Sequence, residues 1–154
     1  MPVSITVTKK DKEIDELCLS LARDEQRKSK CLLRHVGAII TRDRKICSSG
    51  FNGIPFGIIP CTKNSPCMNG TSQTGITCNR GCIGLCAEQA AIVEAARKGV
   101  DLNGATLYST HSPCIRCAFF IILVGIRRVV YDERYEDESG INLLEKVGIE
   151  VRRP

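Results

Sequence analysis

The sequence predicts an α/β domain in which one mixed sheet lies between layers of helices. In the second half of the chain, helix-like and strand-like segments alternate, as they do in parallel strands joined by helical crossovers. Earlier, two β-rich segments follow one another across a short polar turn, which is typical of an antiparallel hairpin. Since the chain has 154 residues, both patterns are expected to belong to a single domain, residues 1–154.

The first half is predicted to contain one helix and the hairpin. Apolar residues recur at helical spacing over residues 12–28, so we expect an amphipathic helix with a charged outer face. The run HVGAIITRDRKICSSGFNG then predicts strands over residues 36–41 and 45–49. Residues 53–82 are rich in Gly, Pro, Ser, Thr and Asn and contain several cysteines. A long irregular loop of this kind is usually functional or disordered.

The second half is predicted to contain three helices and three strands. The segment LCAEQAAIVEAARK is rich in helix-forming residues and is followed by Gly99, which predicts a helix over residues 85–98. Pro113 opens a nearly all-apolar helix over residues 114–124, which must be covered on most sides, in part by another subunit. The remaining predicted elements are strands over 105–110, 127–131 and 149–152 and a helix over 141–147.

Charge and cysteine content narrow the classes of function. The formal charge is +5, but the basic residues are scattered and usually stand beside acidic ones, which favours a small phosphorylated substrate over a nucleic acid. The start of the chain lacks a secretory signal, and no apolar run is long enough to cross a bilayer. We therefore expect a cytoplasmic protein. In a reducing compartment its ten cysteines are expected to be metal ligands or buried thiols rather than disulfides.

Two cysteine motifs begin predicted helices, CAE at residues 86–88 and PCIRC at residues 113–117. Cys114 and Cys117 lie on one helical turn and can bind the same ion, while unpaired backbone amides and the helix dipole favour their thiolate form. Cys86 supplies a third ligand. Three protein ligands leave one tetrahedral position open to water, which is the pattern of a catalytic rather than a structural zinc site.

Glu88 is the candidate acid–base group of this site. Zinc polarises a bound water towards hydroxide, which is the nucleophile. Two residues beyond the first ligand, the Glu88 carboxylate can reach that water without binding the metal. It can therefore take a proton from the water and pass it to the substrate and its leaving group.

These motifs resemble those of the zinc deaminases of the cytidine and deoxycytidylate group, in which His or Cys, any residue and Glu precede a later Pro-Cys-x-x-Cys. The strings CLLRHVGAII, SSGFNGIPFG, CAEQAAIVEAARKG, GATLYSTHSPCIRCA and ILVGIRRVVY resemble the deoxycytidylate branch over residues 30–151. The resemblance implies a cytidine-deaminase-like three-layer α/β/α sandwich with a five-stranded mixed sheet. It also implies hydrolytic deamination of deoxycytidine monophosphate (dCMP) to deoxyuridine monophosphate (dUMP), with release of ammonia, which supplies dUMP for thymidylate synthesis.

The chain departs from the deoxycytidylate pattern at Cys86, where that branch usually carries His. Three thiolates give the zinc site a net charge of about −1, which should make its water less acidic. Cytidine deaminases with three cysteines place an Arg after the Glu, but this chain has Gln89 there. Arg116 is a candidate substitute, and is equally consistent with a solvated surface residue.

The resemblance also implies substrate contacts. The backbone amide of Ala87 is expected to meet the base carbonyl, and Asn52 in the FNG turn is expected to meet the sugar, although Asn-Gly is also a common turn pair. Tyr131 and Tyr135 follow the fourth strand and could pack on the base or sugar, or could be ordinary strand-end aromatic residues. Candidates for a pocket wall or a phosphate contact are Ser109 and His111.

The other cysteines fall into two groups. Cys18 and Cys47 are expected to be core thiols. Five more flank or occupy the irregular loop, and four of them could bind a second, structural zinc that orders it, with free thiols or a disulfide as alternatives. Similar sequences place cysteines at Cys31, Cys61, Cys67 and Cys82, with Cys78 as an alternative ligand.

Three other functions stay open on the sequence alone. They are a deaminase of free cytidine or deoxycytidine, a non-catalytic zinc-stapled binding module, and a deaminase of polynucleotide bases. Related enzymes are often homo-oligomers, including hexamers, and are often activated by dCTP and inhibited by dTTP. The resemblance therefore implies an oligomer and nucleotide effectors.

Overall fold

A computed structural model describes residues 8–32, 34–55, 57 and 84–154. In these ranges the chain forms α1 (Lys9–Gln26), β1 (Gly37–Arg42), β2 (Lys45–Phe51), α2 (Ala87–Arg97), β3 (Thr106–His111), α3 (Ile115–Leu123), β4 (Arg128–Glu133), α4 (Ser139–Lys146) and β5 (Glu150–Arg152). The order of helices and strands is the predicted one. Each of the helices described is too short or too polar to cross a membrane.

The five strands form one mixed sheet in the order β2-β1-β3-β4-β5. β1 is antiparallel to both β2 and β3, whereas β3, β4 and β5 run parallel. The prediction of a five-stranded mixed sheet is confirmed. β2 is two residues longer than predicted because its end still pairs with β1, through Ala38 with Gly50 and Gly37 with Phe51.

Helices cover both faces of the sheet, so the structure has the predicted three layers. On one face α1 packs against β1 and β3 through an apolar cluster that includes Leu19, Ile39 and Tyr108. On the other face α2, α3 and α4 enclose the larger core, which includes Leu107 and Val129. Burial of these apolar surfaces is the main force that holds the layers together.

Asp15 is a buried charge on the inner side of α1, with only 1% of its surface exposed. Its carboxylate accepts two hydrogen bonds of 2.7 Å from the Arg128 guanidinium and one of 3.1 Å from the Tyr108 hydroxyl. Arg152 approaches it to 3.3 Å. These contacts connect α1 to β3, β4 and β5. They also compensate the charge of the Asp15 carboxylate, which would otherwise be costly to bury.

The helix α2 lies in direct backbone contact with β2. A Cβ atom on Gly50 would come within 2.4 Å of the Ala91 nitrogen and 2.5 Å of the Ala87 carbonyl oxygen. Neither alanine is exposed to solvent. Only a residue without a side chain permits this approach, which fixes the depth of α2 against the sheet.

Candidate active site

Two helix N-termini bring three sulfur atoms together. Cys86 is the residue before α2, Cys114 is the residue before α3, and Cys117 lies in the first turn of α3. Their Sγ atoms all lie within 4.8 Å of one another. Cys117 is fully buried and the other two are half-buried. The three cysteines that the sequence singled out therefore form one cluster, which we call the sulfur triad.

The sulfur triad fits zinc in its chemistry as well as its spacing. Thiolates are preferred zinc ligands, and backbone amides at helix N-termini stabilise them. Cys114 accepts hydrogen bonds from the Cys117 and Cys86 thiols and from the backbone amides of Cys117 and Arg116, which lowers its pKa to about 2. The hydrogen bond to Cys114 raises the pKa of Cys86 to about 12 and also raises that of Cys117. The backbone amides at the start of α3 therefore stabilise a thiolate ligand at Cys114.

Glu88 lies in the first turn of α2 with 3% of its surface exposed. Its Oε1 accepts a hydrogen bond of 3.2 Å from the Ser109 hydroxyl, and its Oε2 accepts one of 3.6 Å from the Cys117 thiol. Burial raises the pKa of Glu88 to about 7, although hydrogen bonds from its own backbone amide, Cys117 and Ser109 act in the opposite direction. A carboxyl group with a pKa near neutrality can both accept and release a proton.

Neither Gln89 nor Arg116, the two residues discussed in connection with the third thiolate, directs its side chain's described contacts to a sulfur atom. Gln89 accepts a hydrogen bond of 3.2 Å from the Cys86 backbone amide through Oε1, so it fixes the position of a ligand. The Arg116 side chain is exposed, and it is the backbone amide of this residue that supports the Cys114 thiolate. Within the described residues, the Cys114 thiolate is therefore stabilised by thiols and backbone amides.

The Asn52 amide holds the chain segment that enters β1. Its Oδ1 accepts a hydrogen bond of 2.7 Å from the Val36 backbone amide, and its Nδ2 donates one of 2.7 Å to the Arg34 carbonyl. Its own carbonyl accepts a bond from Ser29. Asn52 thus has a structural role in fixing Arg34, and its expected contact with the sugar stays a prediction.

Tyr135 lies at the centre of a small aromatic group. Its ring centroid is 5.3 Å from that of His111, and the Arg34 guanidinium carbon lies 4.3 Å from its own centroid. The Tyr135 backbone amide donates a hydrogen bond of 2.8 Å to the Ser112 hydroxyl. Burial raises the pKa of Tyr135, and the charge of Glu88 is the second cause, which puts the phenol within electrostatic reach of the carboxylate.

Tyr131 and Ala87 are more enclosed than Tyr135. Tyr131 is 3% exposed and pairs with Ser109, so its side chain faces the same side of the sheet as Ser109. The Arg134 guanidinium donates a hydrogen bond to the Tyr131 side chain, and this bond raises the pKa of Arg134. Ala87 is fully buried between Cys86 and Glu88. Their expected contacts with substrate stay predictions.

The family model for the cytidine and deoxycytidylate deaminase zinc-binding region matches residues 12–133, which include the whole sulfur triad and Glu88. The chain belongs to this deaminase family. The prediction of this family is therefore confirmed, and the zinc-binding role of the matched region agrees with the triad.

Individual relatives support the same family. Deoxycytidylate deaminase from Mycobacterium phage D29 is 36% identical over 121 residues, which cover 76% of this chain and 92% of the relative. Deoxycytidylate deaminase from Saccharomyces cerevisiae is 35% identical over 90% of this chain, but the chain spans only 44% of the length of that relative. The dCMP deaminase of cyanophage S-TIM5 in complex with dCMP and dUMP superimposes with a TM-score of 0.79 at 28% identity, covering 97% of this chain and all of that one. The cytidine-deaminase-like fold is therefore confirmed.

Not every cysteine considered as a ligand of a second zinc lies in the described part of the chain. Cys31 is half-buried, and its carbonyl accepts a hydrogen bond of 2.9 Å from His35. The other four, Cys61, Cys67, Cys78 and Cys82, lie outside the described residues. Cys18 is 6% exposed and Cys47 packs against the core, so both are placed as the sequence predicts.

Sequence reasoning missed two features of the site in this family member. Ser109 was considered for a pocket wall or a phosphate contact, but the structure pairs it with Glu88. Nothing in the sequence singles out Arg34, because one basic residue before a buried strand belongs to no periodic pattern and no motif. Its contact with Tyr135 joins residues 101 positions apart and appears only in the fold.

Proposed function

We propose that this chain deaminates dCMP hydrolytically to dUMP and releases ammonia. The observation that carries the proposal is the buried Glu88 carboxyl hydrogen-bonded to Cys117 of the sulfur triad. Hydrolytic removal of an amino group requires a metal site and an acid–base group that lie next to each other. The relatives that are named deoxycytidylate deaminases support dCMP as the substrate.

The sulfur triad would hold zinc, which when bound supplies the Lewis acidity that makes a water molecule nucleophilic near neutral pH. Glu88 accepts a proton from the attacking water and delivers it to the ring nitrogen next to the amino-bearing carbon. As the water oxygen bonds to that carbon, Glu88 takes the remaining proton of the water and passes it to the amino group, whose bond to the carbon breaks as ammonia departs. Ser109 orients the carboxylate through its hydrogen bond to Oε1.

Glu88→Gln tests this role directly. The amide keeps the size of the side chain but cannot carry a proton, so kcat for ammonia release should fall by a factor of about 100–10,000. The variant should keep its zinc, because Glu88 is not a ligand. Ammonia and dUMP should both be measured on purified, zinc-loaded protein. Ammonia release at the wild-type rate from the variant would exclude this mechanism, and activity on deoxycytidine alone would favour the nucleoside alternative.

We also propose a second, structural zinc held by Cys31 and three of the loop cysteines, Cys61, Cys67 and Cys82, with Cys78 as the alternative ligand. The support is compositional, because residues 53–82 are poor in apolar side chains and need a cross-link to be ordered. Two zinc ions per chain are expected by elemental analysis, and Cys31→Ser should reduce the content to one. A wild-type content of one would contradict this proposal.

We also propose that the chain forms a homo-oligomer. An apolar patch on α3, in which Phe119, Phe120 and Leu123 are 54%, 46% and 81% exposed, supports a homo-oligomer. Sedimentation of the wild type and of Leu123→Glu tests it, since a charge in a buried interface should lower the mass. A hexamer and control by dCTP and dTTP remain predictions of the resemblance, and a cytoplasmic location remains a prediction from the sequence.

A further inference from the structure

Ser112 lies in the turn between β3 and Cys114, and it has no exposed surface. Its backbone amide donates a hydrogen bond of 2.8 Å to the Glu133 carbonyl, which continues the pairing of β3 with β4 beyond the last residue of β3. Its hydroxyl accepts a second bond, also of 2.8 Å, from the Tyr135 backbone amide. Ser112 is therefore attached at two points to the end of β4 and the residues that follow it.

The connection from Ser112 to the sulfur triad is short and stiff, since Pro113 alone separates it from Cys114. The proline ring fixes its own φ angle and disfavours helical backbone at Ser112. Pro113 is also fully buried, and the Cys114 carbonyl accepts a hydrogen bond of 2.9 Å from the Ala118 amide in α3. The position of Ser112 therefore limits where Cys114 and the start of α3 can lie.

Tyr135 depends on the same turn. It lies two residues beyond the end of β4, so its backbone amide is outside the strand ladder and bonds to the Ser112 hydroxyl instead. Its ring packs on His111, the residue before Ser112, with 5.3 Å between the ring centroids. The backbone and the ring of Tyr135 are thus both held by the end of β3, and the same few residues lead directly into Cys114.

Thr110 offers a close comparison within β3. It is 2% exposed, and its hydroxyl accepts a hydrogen bond of 3.1 Å from the Gly37 backbone amide. Gly37 begins β1, which is the neighbour of β3 on the side away from β4. Thr110 and Ser112 therefore each bind one backbone amide with a buried hydroxyl. The Thr110 bond holds β1, whereas the Ser112 bond holds the segment that contains Tyr135.

We propose that Ser112 is a positioning residue that joins the zinc-ligand turn to Tyr135, so that one hydroxyl fixes the places of both Cys114 and Tyr135. This inference rests on the proposed function, in which the sulfur triad holds zinc. A group that supports a metal ligand restricts the positions of the ligand atom, and its loss commonly weakens metal binding by about 10- to 100-fold. Because coupling is reciprocal, zinc held by Cys114 should in turn stabilise the bond to the Tyr135 amide.

The first test is the zinc affinity of wild type, Ser112→Ala, Ser112→Thr and Thr110→Val, measured by competition with a chromophoric chelator. Ser112→Ala should weaken zinc binding by about 10-fold, because the turn loses its bond to Tyr135. Ser112→Thr keeps an oxygen that can accept this bond, so it should restore most of the affinity. Thr110→Val is the matched control, since it removes a similar buried bond on the β1 side, and it should bind zinc as the wild type does.

Hydrogen exchange of the Tyr135 backbone amide, followed by NMR, gives a second measurement that needs no turnover. Zinc should slow this exchange by about 10-fold in the wild type, because it holds the residue that accepts the bond. In Ser112→Ala, where that acceptor is missing, zinc should have little effect on the exchange. This measurement reports the proposed connection itself rather than the stability of the whole domain.

Wild-type zinc affinity in Ser112→Ala would overturn the inference. Equal losses of affinity in Ser112→Ala and Thr110→Val would also do so, because they would indicate a general loosening of β3. The same holds if Ser112→Thr binds zinc as weakly as Ser112→Ala, or if zinc slows Tyr135 exchange equally with and without the hydroxyl. A wild type that binds zinc but releases no ammonia from dCMP would contradict the proposed function instead, and both measurements would still decide the role of Ser112.

Discussion

The Ser109 hydroxyl donates a hydrogen bond to Glu88 Oε1 across 3.2 Å, from a strand residue with no exposed surface to a helix residue that is almost as buried. The remaining carboxylate oxygen faces Cys117 of the sulfur triad. The two contacts fix both oxygen atoms of Glu88. Ser109 is therefore a positioning residue for the proposed acid–base group.

Ser109→Ala should reduce kcat for ammonia release by about 5- to 10-fold while KM for dCMP changes little, because it removes one hydrogen bond from the carboxylate that transfers the protons. Steady-state kinetics separates the two parameters. The matched control is Ser48→Ala, since Ser48 is also a buried strand serine but its hydroxyl has no described hydrogen-bond partner. A rise in KM with unchanged kcat would argue against a positioning role.

Cys86→Ala should remove zinc from the triad, because two cysteines alone cannot hold the ion as three do. Cys86→His should keep that zinc, since imidazole nitrogen is an equally good zinc ligand. Zinc content per chain, measured after dialysis, distinguishes the variants. Cys47→Ala serves as the control, because Cys47 packs against the core and should leave the zinc content unchanged. Full zinc content in Cys86→Ala would exclude Cys86 as a ligand.

Asp15→Ala should lower the free energy of unfolding by about 3–5 kcal/mol, because it leaves the Arg128 and Arg152 guanidinium groups without their shared carboxylate. Urea denaturation of zinc-saturated protein measures the change. Since α1 lies on the opposite face of the sheet from the sulfur triad, kcat of the folded fraction should be unaffected. A large loss of kcat in folded protein would show that the cluster also supports the site.

Gly140→Ala should disturb the turn that carries Cys114. A Cβ at this position would lie 2.1 Å from the Pro113 carbonyl oxygen and 2.7 Å from the Cys114 carbonyl carbon, so the backbone must move. We expect zinc affinity to fall by about 10- to 100-fold, the effect usual for residues that support metal ligands. Competition with a chromophoric chelator measures it. Asn142→Ala, on the exposed side of the same helix, should bind zinc as the wild type does.

The sequence was sufficient for the order of the elements and for the sulfur triad, because both depend on local patterns. Periodicity and turn residues located each helix and strand to within a few positions, and CAE and PCIRC lie at helix starts whatever the rest of the fold does. The burial of α1 was less well predicted. Leu17 is one of the apolar residues at helical spacing in this segment but is 62% exposed, whereas the charged Asp15 is buried.

Contacts between distant segments could not be predicted in this way. Asp15 on α1 can be buried because Arg128 on β4 and Tyr108 on β3 donate hydrogen bonds to its carboxylate, and nothing near Asp15 in the sequence indicates them. The pairings of Ser109 with Glu88 and of Arg34 with Tyr135 likewise depend on the strand order. Motifs identify the chemistry of a site, but long-range packing determines which side chains orient it.

The contact between Gly50 and α2 limits which positions can be varied in directed evolution of this protein. Since the helix that carries Glu88 touches the β2 backbone directly, any side chain at Gly50 would lift its first turn and tilt the carboxylate away from its partners. Libraries that seek a new base preference should therefore hold position 50 constant and diversify the residues around Tyr135.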